Sequence, residues 1–139
     1  MMKLKHLWVI LLAMCLCHTA YAKGDKKQKV EKQTVYMFAV GAAFGDTIVS
    51  FTDIQMIEGE NIVNKGFLKA RNMYSYQFKN YLENVENLPH RTCAIYFSQK
   101  KAKLEKKYAK LKARYEADKE LATRTVDSGK FQFQLFDAE

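Results

Sequence analysis

His90, Arg91 and Cys93 are the residues of this chain whose types and spacing come nearest to a catalytic group. A cysteine beside a base is the arrangement that many nucleophilic enzymes use. However, side chains three residues apart in a strand point to opposite faces, so His90 and Cys93 should diverge. Cys93 also stands among apolar neighbours, and burial raises the pKa of a thiol and makes it unreactive. We therefore predict that Cys93 is a buried structural residue.

Asp53 is a further candidate, because a carboxylate inside an otherwise apolar strand needs either solvent or a partner. Arg91 is one candidate partner, and an acid–base role for Asp53 is another interpretation. If the fold gathers Asp53, His90 and Arg91 in one cleft, they could serve a small hydrolase or transferase. Asp46 follows a glycine and is explained by a turn. The sequence around it is not a phosphate-binding loop, since such a loop ends in Gly-Lys-Ser/Thr.

A run of basic residues offers a different kind of chemistry. The segment 100–114 holds eight lysines and arginines against Glu105, in a chain whose formal net charge is +8. Clustered charge creates a local field, whereas scattered charge mainly aids solubility. Five residues of this segment are candidates for binding an anion: Lys103, Lys106, Lys107, Lys110 and Arg114. The alternative is a solvated outer face without a ligand.

The N-terminus predicts export. Lys3 and Lys5 precede an apolar run over residues 7–17, and Ala20 and Ala22 follow it. This order of basic, apolar and small residues is typical of a cleavable signal peptide. A transmembrane helix needs about 20 apolar residues, and this run is roughly half as long. We predict cleavage after Ala22, a periplasmic or extracellular location, and no transmembrane segment in the mature chain.

A lipoprotein acylated on Cys15 is the alternative for the N-terminus. The residue before a lipidated cysteine is normally small, and Met14 is not, which disfavours this alternative. Cleavage as predicted leaves Cys93 as the one cysteine, so an internal disulfide is excluded. A structural zinc site takes three or four ligands, and the mature chain keeps one cysteine and one histidine, His90. We expect neither a metal nor a cofactor.

Composition divides the mature chain into two parts. Residues 23–33 are rich in lysine and nearly free of apolar side chains, which is typical of a disordered lead-in. Residues 34–139 are numerous enough to bury a core without disulfides or metals. We therefore predict a single domain over 34–139.

Hydrophobic periodicity predicts the elements of this domain. In chain order they are strands at 35–43 and 47–56, a helix from near 66 to before 89, a strand at 92–98, a helix at 100–122 and a strand at 131–135. Each helix carries a single apolar stripe and therefore packs on one side. The ββαβαβ order favours an α+β fold, a two-layer sandwich in which both helices cover one face of a four-stranded, mostly antiparallel sheet. The strand–helix–strand connections should cross over in the right-handed sense.

Three stretches of the chain carry a resemblance: residues 36–40 (Tyr-Met-Phe-Ala-Val), 51–55 (Phe-Thr-Asp-Ile-Gln) and 89–93 (Pro-His-Arg-Thr-Cys). They resemble small uncharacterised secreted proteins of Bacteroidetes-type bacteria, and the resemblance covers most of the mature chain. It implies a bacterial envelope setting. It implies no activity, because no chemistry is assigned to that group.

These observations favour a non-enzymatic periplasmic or secreted binding module. Its partner would be an anionic lipid, an anionic envelope polymer or an envelope protein, contacted through the basic helix. Nucleic acid is not expected as a partner outside the cytoplasm. The alternative is a small envelope hydrolase or transferase that uses Asp53, His90 and Arg91. An enzyme should gather at least two of these three side chains in one concave pocket, whereas a binding module should leave them apart.

Overall fold

The structure is a computed structural model that describes residues 30–136. The predicted signal peptide at 1–22 and most of the predicted lead-in lie outside the described residues. In chain order the elements are β1 (Lys32–Ala42), β2 (Ile48–Thr52), β3 (Gln55–Glu60), β4 (Val63–Asn64), β5 (Phe67–Leu68), α1 (Arg71–Asn84), β6 (Thr92–Ser98), α2 (Lys101–Glu116) and β7 (Ala122–Val126).

β1 is the central strand of a mixed sheet. It pairs antiparallel with β6 along one edge and with both β2 and β3 along the other edge. β7 pairs parallel with β2, so the spatial order is β6, β1, β2 together with β3, and β7. β4 and β5 form a separate two-stranded hairpin. The predicted α+β class and the mostly antiparallel sheet are confirmed.

The second predicted strand is interrupted and forms β2 and β3, and β7 takes the place in the sheet that the sequence predicts for residues 131–135, so the main sheet has five strands where the sequence predicts four. Val40 lies opposite Phe51, and Met37 lies opposite Gln55. Three steps along β1 are therefore matched by four steps on its partner, which is the register of a β-bulge at residues 52–54. The backbone N–H of Ala39 donates to the Thr52 hydroxyl at 2.9 Å, so a side chain replaces a ladder hydrogen bond at the bulge.

Both faces of β1 are buried, and this overturns the predicted layering. Val35, Met37 and Ala39 belong to the core cluster under α1, whereas Phe38 and Val40 belong to the cluster under α2. The helices thus cover opposite faces of the sheet, and the predicted two-layer sandwich with both helices on one face is wrong. The near-continuous apolar sequence of β1 is typical of a strand buried on both sides.

The strand order explains why the helices lie on opposite faces. The chain passes from β3 through α1 to β6, crossing β1 in one direction, and returns through α2 to β7 in the other direction. Right-handed crossovers that run in opposite directions place their helices on opposite faces of a sheet. Since the sequence does not specify the strand order, it could not specify the layers.

Gly41 marks the closest approach of α1 to β1. A Cβ at this position would lie 2.6 Å from the Leu82 Cδ1 atom and 3.2 Å from the Cys93 Sγ atom. The only residue that avoids these contacts is glycine. Tyr74, Phe78 and Leu82 are the buried residues of α1 that pack on this side of the sheet.

Both helices are shorter than predicted. α1 begins at Arg71 rather than near 66, because Phe67 and Leu68 pair within the small hairpin and Ala70 adopts a left-handed conformation at φ 53°. α2 ends at Glu116 rather than at 122. Residues 118–121 form a turn, and Ala122 begins β7, where its backbone N–H donates to the Thr47 carbonyl at 2.8 Å. Ala122 therefore belongs to a strand and not to the apolar stripe of α2.

The predicted last strand, 131–135, is an extended segment without a partner strand. The alternation of apolar and polar residues in this segment still predicts which side chains are buried, since Phe131 and Phe133 are buried and Gln132 is exposed. Glutamine side chains supply the hydrogen bonds that a neighbouring strand would have made. The Gln55 amide donates to the Phe131 carbonyl at 2.9 Å and accepts from the Phe133 N–H at 2.8 Å.

The structured domain begins slightly earlier than predicted. Lys32 and Gln33 belong to β1 and lie opposite Glu60 and Gly59, so these two residues are not part of a disordered lead-in. The Gln33 amide oxygen accepts from the Val63 N–H at 2.7 Å. This contact attaches the β4–β5 hairpin to the start of the sheet, and a composition-based boundary cannot detect it.

Candidate functional site

The three acid–base candidates do not form a cluster. Arg91 is buried, with 2 % of its side chain exposed, and binds the Asp46 carboxylate and the Ile48 carbonyl, the latter at 3.2 Å. Asp53 accepts a hydrogen bond from the Ser128 N–H at 3.1 Å. His90 is exposed and adopts a left-handed conformation at φ 60°.

β2 separates Asp53 from Arg91. Arg91 contacts Ile48 at the start of β2, and Asp53 follows its last residue. A strand of this length spans about 16 Å, which is beyond the reach of a direct contact. The ion pair between Asp53 and Arg91, one of the alternatives that the sequence left open, is not formed. Asp53 instead stabilises the turn that follows β7.

Asp46 is the partner of Arg91 that the sequence did not indicate. Its carboxylate accepts from the Ile48 N–H at 3.2 Å and from the Arg91 guanidinium. The backbone N–H of Ile48 and then the hydrogen bond from Arg91 lower the pKa of this carboxyl. The pairing depends on β6 lying beside β1 with Thr92 opposite Ala42, which places Arg91 next to the β1–β2 turn. That register could not be predicted without the strand order.

Cys93 lies in β6, and its side chain is half-buried against the core cluster under α1 rather than fully buried as the sequence predicts. Burial raises the pKa of its thiol to about 11, so the thiolate is scarce at neutral pH. Its carbonyl accepts from the Ser75 hydroxyl at 2.6 Å, and the Ile95 carbonyl accepts from Arg71 in the same way. These contacts describe a structural residue on an edge strand rather than a nucleophile with a base.

Three surface pockets of about 230, 320 and 630 Å³ lie on the described part of the chain. None of these three is lined by Asp53, His90 or Arg91. Within residues 30–136, no three histidine, cysteine or carboxylate side chains stand close enough to hold a metal ion. No helix in the same range has the length and apolar character needed to cross a membrane.

The basic segment forms α2, and its apolar stripe fixes how the helix sits on the sheet. Leu104 is buried, and Tyr108 and Tyr115 pack edge-on against two phenylalanines of the sheet. The ring centroids of Phe38 and Tyr108 are 4.9 Å apart, and those of Phe51 and Tyr115 are 5.7 Å apart. Because this stripe faces the sheet, the charged residues on the other faces of the helix point to solvent.

Some cations of α2 have local partners. Lys101 approaches Glu105 at 3.9 Å, Lys107 lies 5.0 Å from the centre of the Tyr96 ring, and Lys112 donates to the Thr125 hydroxyl at 2.8 Å. The remaining members of the predicted anion-binding set make no ion pair with any residue in 30–136: Lys103, Lys106, Lys110 and Arg114.

The cations of the predicted anion-binding set share one side of the helix surface. With 3.6 residues per turn, the positions of Lys103, Lys106, Lys107, Lys110 and Arg114 lie within an arc of about 100°. We call these five residues the basic stripe. All five are exposed. The structure therefore places the whole predicted anion-binding set on one side of one element, whereas it leaves the predicted acid–base set dispersed.

No protein-family model, curated protein or solved structure matches this chain. The fold and the basic stripe are therefore the observations on which a function can be argued. The resemblance to secreted Bacteroidetes-type proteins stays a prediction.

Proposed function

We propose that this protein is exported through its N-terminal signal peptide and acts outside the cytoplasm as a non-enzymatic binding module. In this proposal the basic stripe of α2 contacts an anionic component of the cell envelope. The observation that carries the proposal is the row of exposed cations that form no ion pair with residues 30–136, on a helix that is otherwise firmly packed.

The charge distribution of α2 is costly for the fold, which supports a role outside it. Like charges at helical spacings of three and four destabilise a helix by a few tenths of a kcal/mol per pair. Lys100, Lys101 and Lys103 also lie at the N-terminus of the helix, where the helix dipole disfavours positive charge, and the first turn holds no acidic residue. An external anion would relieve both effects.

The alternative function is a hydrolase or transferase that uses Asp53, His90 and Arg91. The positions of these three side chains do not support it. Such an enzyme needs at least two of these side chains in one pocket. Arg91 is occupied by Asp46, and Asp53 is occupied by the Ser128 N–H at the other end of β2. We therefore favour the binding module.

The proposal predicts salt-sensitive binding to anionic surfaces. The protein should bind vesicles that contain phosphatidylglycerol, or lipopolysaccharide, at low salt. Binding should weaken steeply above about 0.1 M salt, where the Debye length is about 10 Å. Replacing Lys103, Lys106, Lys107 and Lys110 with glutamine should abolish it without lowering the melting temperature. Sedimentation of vesicles with bound protein measures the effect.

A matched variant controls for net charge. Lys69, Lys79, Lys119 and Lys130 are exposed and lie outside α2, so replacing them with glutamine removes the same charge elsewhere. This control should keep most of the binding. Equal losses in the two variants, or no binding by the original protein at low salt, would show that the basic stripe serves solubility alone.

A further inference from the structure

Two contacts orient the sides of α2 relative to the sheet. Lys107 lies over Tyr96 of β6, whereas Lys112 reaches Thr125 of β7. Since β6 and β7 are opposite edges of the sheet, the basic stripe lies on the side of the helix that faces β6. Three exposed alanines, Ala102, Ala109 and Ala113, lie on the other side of the top of the helix and separate the stripe from the β7 side.

The edge strand β6 forms the protein surface next to the basic stripe. Ala94 and Tyr96 lie opposite Val40 and Phe38, which face α2, so these two residues of β6 face the same side. Ala94 is exposed, and Tyr96 is partly buried and stacks on Phe38 at 5.0 Å. The basic stripe thus stands beside an open, one-sided step whose floor is Ala94 and Tyr96 of the edge strand β6. We call it the α2–β6 groove.

The cations form a row rather than a patch. From Lys103 to Arg114 the helix rises about 16 Å, and successive charges are about 1.5–6 Å apart along its axis. A ligand that meets all five cations must carry several negative charges in a line and lie parallel to the helix. A single small anion would meet at most two of them.

A lipid bilayer fits this surface less well than a polymer does. A helix that lies in a membrane interface inserts an apolar face between the lipids. The apolar face of α2 is packed on the sheet, and the large apolar side chains exposed in the described part of the chain lie on neither α2 nor β6. Contact with a membrane would therefore be electrostatic alone.

We propose that the α2–β6 groove binds a linear polyanion lengthwise, with the basic stripe along its charges and Ala94 and Tyr96 beneath it. The ligand class is a chain polymer with regularly repeated phosphate, sulfate or carboxylate groups. This inference rests on the proposed function, and it narrows the anionic partner from any envelope surface to a chain.

A pair of single substitutions tests the geometry. Ala94→Glu places a negative charge on the floor of the groove, and Ala122→Glu places the same charge at the start of β7, on the opposite edge of the sheet. Both positions are exposed, so both variants should fold, which thermal melting checks. The probes are heparin, long-chain polyphosphate, and vesicles of phosphatidylglycerol with phosphatidylcholine. Affinities are measured for each probe at several salt concentrations.

Lengthwise binding predicts that Ala94→Glu weakens the affinity for the polymers about fivefold or more, because the new charge lies a few ångströms from the bound chain. Ala122→Glu should change it less than about twofold, because the charge lies on the far edge of the sheet. The logarithm of the binding constant should fall with the logarithm of salt with a slope near −3.5, as expected for about five contacts to a flexible chain. A preference between heparin and polyphosphate identifies the anionic group.

Different outcomes would contradict this inference alone or the proposed function as well. Equal losses in the two variants, or a slope near −1, would overturn the groove, because the polymer would then be held by diffuse charge. Binding to vesicles without binding to either polymer would overturn this inference and leave the proposed function intact. If neither polymer nor vesicle binds at low salt, both proposals fall.

Discussion

Arg91 connects three segments of the chain at the residue scale. From its position before β6 it reaches the Asp46 carboxylate in the β1–β2 turn and the Ile48 carbonyl at the start of β2. Its side chain is buried, and its Nε atom has no hydrogen-bond partner among the described residues. A buried guanidinium that loses a partner is destabilising, whereas an apolar side chain of similar volume in its place costs little.

The first prediction follows from this asymmetry. Asp46→Ala should lower the free energy of unfolding more than Arg91→Met does. Alanine leaves a buried cation with the Ile48 carbonyl as its remaining partner, whereas methionine fills the space and leaves an exposed carboxylate in water. Urea unfolding of the two variants measures the difference, and the reverse order would show that Arg91 is not held by Asp46.

The pH dependence of Asp46 gives a second prediction. The pKa of this carboxyl is lowered from its ordinary value of 3.8, so the ionised form stabilises the fold at every pH above that value. This stabilisation is lost as the pH falls below about 3.8 and through the lower pKa of the folded state. The stability gap between the original protein and Asp46→Asn should stay constant at neutral pH and close in acid. A gap that does not narrow as the pH falls below 3.8 would contradict the assignment.

At the scale of elements, the segment 131–136 is held by side chains of other elements. Gln55 pairs with the backbone of Phe131 and Phe133, and Gln77 of α1 pairs with the Gln134 backbone, donating and accepting at 2.9 Å. An amide side chain offers the same donor and acceptor as a peptide group. These two glutamines therefore act as short substitutes for a neighbouring strand.

Gln55→Ala should consequently weaken the attachment of residues 131–136 to the domain. Loss of both hydrogen bonds leaves a part-buried carbonyl and N–H unpaired, which costs about 1–3 kcal/mol. Amide hydrogen exchange at Phe133 should accelerate strongly, while exchange in β1 changes little. The matched control is Gln132→Ala, since Gln132 is exposed in the same segment. Equal acceleration in both variants would refute the role of Gln55.

The elements also show what the sequence can and cannot specify. Local periodicity predicted β1, β6 and the two helices, because each of these carries its own apolar pattern. The alternation of Phe131 and Phe133 predicted burial correctly, yet the partner of that backbone is a side chain distant in sequence. In the same way the basic stripe follows from helix periodicity alone, whereas the Asp46–Arg91 pair depends on a strand register that no local pattern contains.

At the scale of the whole molecule, export remains to be tested. The protein recovered from outside the cytoplasm should begin at Lys23 and carry no lipid, because cleavage after Ala22 removes Cys15. Trp8 is the one tryptophan of the chain, so the mature protein should also lack tryptophan fluorescence. Intact-mass analysis checks both points. A mass that includes Trp8, or an acylated Cys15, would refute the predicted cleavage.

The position of β1 in the sheet has a consequence for when the molecule can fold. β1 is synthesised early, but one of its edges cannot pair until β6 has been made, because Met37 pairs with Phe97. In the same way β2 cannot pair with β7 until residues 122–126 have been made, because Phe51 pairs with Thr125. Pairing between segments so distant in sequence is slow, because long loops must close first. A nascent chain that ends before β6 already has α1 to cover one face of β1, but it lacks α2, which covers the other face. We expect the domain to stay incompletely folded until synthesis is nearly complete, and an incompletely folded chain is the form that can be threaded through a narrow channel.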